Sequence, residues 1–109
     1  MNKGLSRPKN QIRFLLLEGI SERAVALLNR NGYTNVERLT TALEPAALKE
    51  KLKDVQMLGI RSRTQITEDI LSATDGLVAI GCFSVGTNQV DLAACEARGI
   101  EVLSCAPGF

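Results

Sequence analysis

The chain contains no histidine and no tryptophan, and only one tyrosine and three phenylalanines. Without histidine it lacks the commonest general base and the commonest metal ligand, so a self-contained catalytic site is not expected. Few aromatic rings mean few platforms for stacking unpaired bases. A net charge of +1 gives no basic footprint for nucleic acid or for an anionic membrane surface. No apolar run approaches the ~20 residues of a bilayer-spanning helix. The opening stretch MNKGLSRPKN also lacks the apolar core of a secretory signal. The three cysteines, Cys82, Cys95 and Cys105, are odd in number and have no metal-ligand spacing. They read as reduced, mostly buried thiols of a cytoplasmic protein.

What remains is a composition suited to burial: 45% hydrophobic and 23% charged over 109 residues, the size of one domain. Residues 1–10 are expected to be a flexible polar tail, with the folded part over 11–109. Ile12 to Leu17 is a short, nearly continuous apolar run, the pattern of a strand covered on both faces. Ser21 is placed to cap a helix through Asn31 that Gly32 ends. Val36 to Thr40 is a more polar strand, expected at a sheet edge. Pro45 opens a second helix, with Leu48, Leu52 and Val55 at helical spacing. Val55 to Ile60 is the third strand, and Thr67 caps a third helix that runs to Gly76. Leu77 to Ile80 is an apolar and therefore central fourth strand. A fourth helix, capped at Thr87 or Asn88 and carrying Val90, Ala94 and Ala97, closes at Gly99. Ile100 to Leu103 is the fifth strand.

Strands alternating with helices predict an α/β fold with a parallel sheet. Right-handed crossovers favour the flavodoxin-like order 2-1-3-4-5, with helices two to four on one face and helix one on the other. A complete fold of this kind has a fifth helix beside the first, and none is read here after strand five. One apolar face is thus expected to be half covered, favouring a longer parent chain, a partner or self-association.

Ligands of open α/β sheets bind beyond the carboxyl ends of the strands. After strand one comes Glu18-Gly-Ile-Ser-Glu22, which offers neither a flavin phosphate loop nor the paired acids of a phospho-receiver. After strand three comes Arg61-Ser62-Arg63-Thr64, where a receiver would need an aspartate. Guanidinium forks, hydroxyls and backbone N–H groups suit a carboxylate or phosphate. An equally simple alternative is a solvated loop whose arginines pair with Glu68 or Asp69. After strand four comes Gly81-Cys-Phe-Ser-Val-Gly-Thr-Asn-Gln-Val-Asp91. Its glycines are five apart, so it is neither GxGxxG nor a GxxxxGK[ST] phosphate loop. It is either a plain turn into a helix or a loop whose N–H groups face the same crevice as Arg61 and Ser62.

The segments IRFLLLEGISERAVALLNRNGYTNVE, LGIRSRTQITEDIL and LVAIGCFSVGTNQVDLAACEARGIEV resemble the NAD-dependent D-2-hydroxyacid dehydrogenases. RSRT and GTNQVDL resemble in particular the branch acting on a small phosphorylated hydroxy acid, 3-phosphoglycerate. The resemblance implies a two-domain parent whose first lobe is a flavodoxin-like substrate-binding domain, followed by a Rossmann domain and a returning terminal helix. Residues 11–109 would then be an incomplete substrate-binding domain, without the NAD-binding domain. It also implies that Arg61 holds the substrate's phosphate or carboxylate, supported by Ser62 and Arg63. The backbone at Ser84, Val85 and Gly86 would lie against the substrate carboxylate. The family's dinucleotide fingerprint and its catalytic arginine, glutamate and histidine have no counterpart here, so this chain alone is expected neither to bind NAD nor to catalyse. The alternative expectation is a stand-alone, non-catalytic module binding a small phosphorylated acid or a protein partner.

Overall fold

The computed structural model describes residues 8–106 and Gly108. Most of the tail expected over 1–10 lies outside the described residues. Lys9–Gln11 forms a single 3-10 turn, from which Lys9 Nζ donates to the Asn31 carbonyl at 3.0 Å. The elements then follow as β1 (Phe14–Leu16), α1 (Glu22–Arg30), β2 (Val36–Arg38), α2 (Pro45–Leu52) and β3 (Met57–Ile60). They continue as α3 (Glu68–Leu71), β4 (Ala79–Cys82), α4 (Leu92–Ala97) and β5 (Glu101–Ser104). All strand pairings are parallel, in the order β2-β1-β3-β4-β5, as the alternating pattern predicts.

Local chemistry sets the element ends. Ser21 Oγ accepts the Arg23 N–H at the start of α1, and Gly32 beyond its end has φ +93, in the left-handed region. Thr67 Oγ1 accepts the Ile70 N–H at the start of α3, a helix of four residues that ends well short of Gly76. Two further boundaries differ from expectation, and both adjoin the crevice. The fourth strand runs Ala79–Cys82, not Leu77–Ile80, because the parallel register with β3 pairs Gly59 with Gly81 and Ile60 with Cys82. Helix α4 is capped by Asp91, whose Oδ1 accepts the Ala94 N–H at 3.1 Å, and not by Thr87 or Asn88. Val90 is unavailable to the helix because it forms a parallel bridge with Ile66.

Alternation along the strands sorts two cores. Leu15, Leu17, Leu58, Ile60, Ile80 and Cys82 point to one face, where α2, α3 and α4 supply Leu48, Leu52, Ile70, Leu71, Ala94 and Cys95. Leu16 points to the other face and meets Ile20 and Ala24 under α1. On that second face the inner strands carry small residues. A Cβ on Gly59 would stand 2.7 Å from Leu16 Cδ2 and 3.2 Å from Phe83 Cε1, so any side chain there would force Leu16 to shift. Beside α1 lies an apolar groove of about 200 Å³, bordered by Leu27, Leu103 and Cys105. Leu27 and Leu103 are about half exposed. The half-covered face anticipated from the element count therefore lies between α1 and β5.

Candidate functional site: a cleft between two strand-end loops

Parallel strands end together, so the segments leaving β3 and β4 are neighbours. Arg61 and Ser62 after β3 and Ser84, Val85 and Gly86 after β4 line one cleft of about 400 Å³, together with Phe83, Asn88 and Gln89. Five of the six residues singled out from the sequence thus meet around one space. Arg63 does not. It lines a separate depression on the other side of its loop, with Glu18, Thr40, Thr41 and Ala42, and this second hollow shares Arg61 and Ser62 with the cleft.

The first loop is held from below by one carboxylate. Glu18 Oε2 accepts the backbone N–H groups of Arg61 and Thr64, each at 3.0 Å, and the Thr64 hydroxyl at 2.6 Å. Its Oε1 accepts the Arg63 N–H at 2.9 Å. Glu18 adopts φ +61, a left-handed conformation that costs a non-glycine side chain free energy, and Gly19 follows at +70. The four bonds to the carboxylate offset that strain. Burial raises the Glu18 pKa, but the Thr64 hydroxyl and the Arg63, Arg61 and Thr64 N–H groups outweigh it and hold the carboxyl below its ordinary 4.5.

This corrects the expectation for RSRT. Three of its backbone N–H groups and the buried Thr64 hydroxyl already serve the protein's own carboxylate. Ser62 and Arg63 are exposed on this loop, and Arg61 is partly exposed. The simpler pairing with helix α3 acids is also revised: Glu68 pairs with Arg98, and Asp69 with Lys49 at 2.6 Å.

The second loop is built differently. Phe83 N–H is tied to the Ile60 carbonyl, but the backbone N–H groups of Ser84, Val85 and Gly86 make no hydrogen bond among the described residues. Val85 at the tip is 98% exposed. Gln89, only 7% exposed, spans the gap between the loops: its Nε2 donates to the Arg61 carbonyl at 2.7 Å and to Ser84 Oγ at 3.0 Å. Ser84 Oγ in turn donates to the Gly86 carbonyl at 2.7 Å. The backbone adds two ties, Ile66 N–H to the Gln89 carbonyl and Asp91 N–H to the Ile66 carbonyl.

Glu18 and Gln89 are the hydrogen-bonding residues that hold the two loops and that pattern reasoning missed. For Glu18 the signal was an acid directly after an apolar strand and before glycine. For Gln89 it was an amide in a segment that has to turn back over the sheet. The cysteines lie apart from this chemistry: burial raises the thiol pKa of each, and Cys82 and Cys95 are buried. Among the described residues no group of three acids, cysteines or histidines is placed to hold a metal, and no helix is long and apolar enough to cross a membrane.

Residues 14–108 match the family model "D-isomer specific 2-hydroxyacid dehydrogenase, catalytic domain". The chain is 49% identical over 100 residues to D-3-phosphoglycerate dehydrogenase of Escherichia coli (strain K12), covering 92% of this chain and 24% of that protein. It is 45% identical over 104 residues to the enzyme of the same name from Haemophilus influenzae, covering 95% and 25%. The chain thus spans about a quarter of the length of these relatives. Among solved structures, the PH0520 protein from Pyrococcus horikoshii OT3 superposes with a TM-score of 0.78 at 25% identity, over 91% of this chain and 28% of that one. An NAD+-bound 3-phosphoglycerate dehydrogenase from Entamoeba histolytica shares the fold, with a TM-score of 0.74 at 22% identity over 86% and 32%. The chain belongs to the D-isomer specific 2-hydroxyacid dehydrogenase family.

Proposed function

We propose that this chain is the substrate-binding lobe of a D-3-phosphoglycerate dehydrogenase, an NAD-dependent enzyme that oxidises 3-phosphoglycerate to 3-phosphohydroxypyruvate. One observation carries the reading: Arg61 and Ser62 share a cleft with the open backbone of Ser84–Gly86, in a chain 49% identical to an enzyme of that name. Arg61 meets the ligand's phosphate or carboxylate as a charged fork, and Ser62 adds a hydroxyl. The N–H groups of Ser84, Val85 and Gly86 face the other end of a molecule that carries an anion at each end. Arg63 acts from the neighbouring depression as a second cation.

NAD belongs to the parent reading and not to these residues. Neither glycine-containing loop has dinucleotide-binding spacing, and the sequence has no histidine to take the hydroxyl proton. By itself the chain binds substrate without transforming it. Its place is the cytoplasm, where a reducing environment suits three free thiols.

Titration of the purified chain with 3-phosphoglycerate, followed by amide NMR, is expected to shift Ser62 and Ser84–Gly86, and Arg61→Ala to abolish those shifts. The same samples supplied with NAD are expected to yield no NADH. A wild-type spectrum unmoved by the ligand, or sustained turnover, overturns the reading. The groove between α1 and β5 supports a further part of it: alone, the chain self-associates through this apolar face. Sedimentation as a monomer at every concentration excludes that part.

A further inference from the structure

Among the described residues, the Gln89 side chain is hydrogen-bonded to both walls of the cleft. Its surroundings fix which end of the amide faces where. The Arg61 carbonyl can only accept, so the atom 2.7 Å away is the nitrogen, and its second hydrogen is directed to Ser84 Oγ at 3.0 Å. Both donors of the amide are therefore in use, one on each loop. Ser84, having accepted, donates its own O–H to the Gly86 carbonyl at 2.7 Å. One buried amide thus sets the position of Arg61 directly and orders Ser84, Val85 and Gly86 through a two-bond relay.

We infer that Gln89 is a positioning residue that fixes the separation of the two loops, and through it the selectivity of the cleft for a ligand long enough to reach both. This rests on the reading of the cleft as an anion site. It adds that recognition depends on the distance between two half-sites, not on the arginine alone. A glutamate here would turn an acceptor toward the Arg61 carbonyl. A methionine would fill the same volume with no donor. An asparagine would keep the amide but, one methylene shorter, reach only one wall.

The test compares two ligands of different span, 3-phosphoglycerate and inorganic phosphate, the latter small enough to sit at one wall. Gln89→Met is expected to weaken 3-phosphoglycerate by about tenfold, the worth of two neutral hydrogen bonds, while phosphate affinity stays within about twofold. Gln89→Asn guards against a methionine variant that fails to fold and is expected to lose the same preference. Thr74→Val is the control for plain destabilisation, because Thr74 Oγ1 donates to the Leu52 carbonyl in the buried core, away from the cleft. It is expected to lower Tm and leave both affinities unchanged. Parallel loss of both ligands in Gln89→Met, or no loss of either, overturns the inference. If the wild-type chain binds neither ligand, the anion-site reading itself falls. The clamp is then judged on the ligand-free chain, where Gln89→Met is expected to speed exchange of the hydrogen-bonded amides at the bases of the two loops, Arg61 and Phe83. Unchanged exchange rejects it.

Discussion

The two loops that face each other across the cleft solve the same placement problem by opposite means. After β3, a carboxylate from a third strand end gathers the backbone donors of Arg61, Arg63 and Thr64, so the main chain is fixed and only side chains are offered. After β4, the N–H groups of Ser84, Val85 and Gly86 make no hydrogen bond among the described residues, and the loop is steadied from the side by Ser84 and Gln89. An arginine side chain is long and flexible, so its guanidinium needs a rigid base if it is to be delivered to one position. A backbone N–H has no freedom of its own, so a loop that offers N–H groups can be held loosely until a ligand orders it.

The contrast is broken most severely at Glu18. Glu18→Ala leaves three backbone donors and a hydroxyl without their acceptor in a partly buried loop. The expected cost is on the order of 3 kcal/mol, read as a fall in Tm of roughly 15 °C for a domain of this size. A variant within about 1 kcal/mol of wild type shows that the loop does not depend on this carboxylate. The substitution also relieves a left-handed residue only in part, since alanine at φ +61 is itself disfavoured.

Protonation makes a milder version of the same cut. The Glu18 carboxyl is held below 4.5 in the folded chain, so on acidification the unfolded chain takes up its proton first. Stability from this group is therefore complete above about pH 4.5 and declines as pH falls through the lowered folded value. Thermal melts from pH 6 to pH 3 are expected to show a steeper loss for wild type than for Glu18→Gln, whose neutral amide cannot titrate. Parallel curves remove Glu18 from the account of acid sensitivity.

The sequence made the scaffold of this contrast readable, but only half of the contrast itself. Apolar runs, the caps at Ser21 and Thr67, and glycines at helix ends are local signals, and they led to the observed strand order and to α1 alone on its face. Arg61, Ser62 and the Ser84–Gly86 segment were legible because strand ends in a parallel sheet are shared positions. Glu18 acts across 43 to 46 residues of sequence, so its place between an apolar strand and a glycine marks it without naming the donors it gathers. Gln89 was hidden for a related reason. A helix capped at Thr87 or Asn88 would put Gln89 in its first turn. The bridge between Ile66 and Val90 delays the helix to Leu92 and frees the preceding residues to line the cleft. Likewise, Leu77 and Val78 look like strand on hydrophobicity alone, and it is the register with β3 that shifts β4 to Ala79–Cys82.

The smallest expected effect lies on the open side. Ser84→Ala removes the donor to the Gly86 carbonyl and the acceptor for Gln89, yet both sit at a partly exposed loop where water can replace them. The expected stability loss is about 1 kcal/mol or less, a shift in Tm of only a few degrees. Ligand binding should be more sensitive than stability, because the loop's N–H groups lose their direction while the fold keeps its core. Titration with 3-phosphoglycerate alongside a thermal melt separates the two quantities. If Ser84→Ala lowers Tm as far as Glu18→Ala does, the second loop is as tightly built as the first, and the division into a fixed wall and an adaptable wall is wrong.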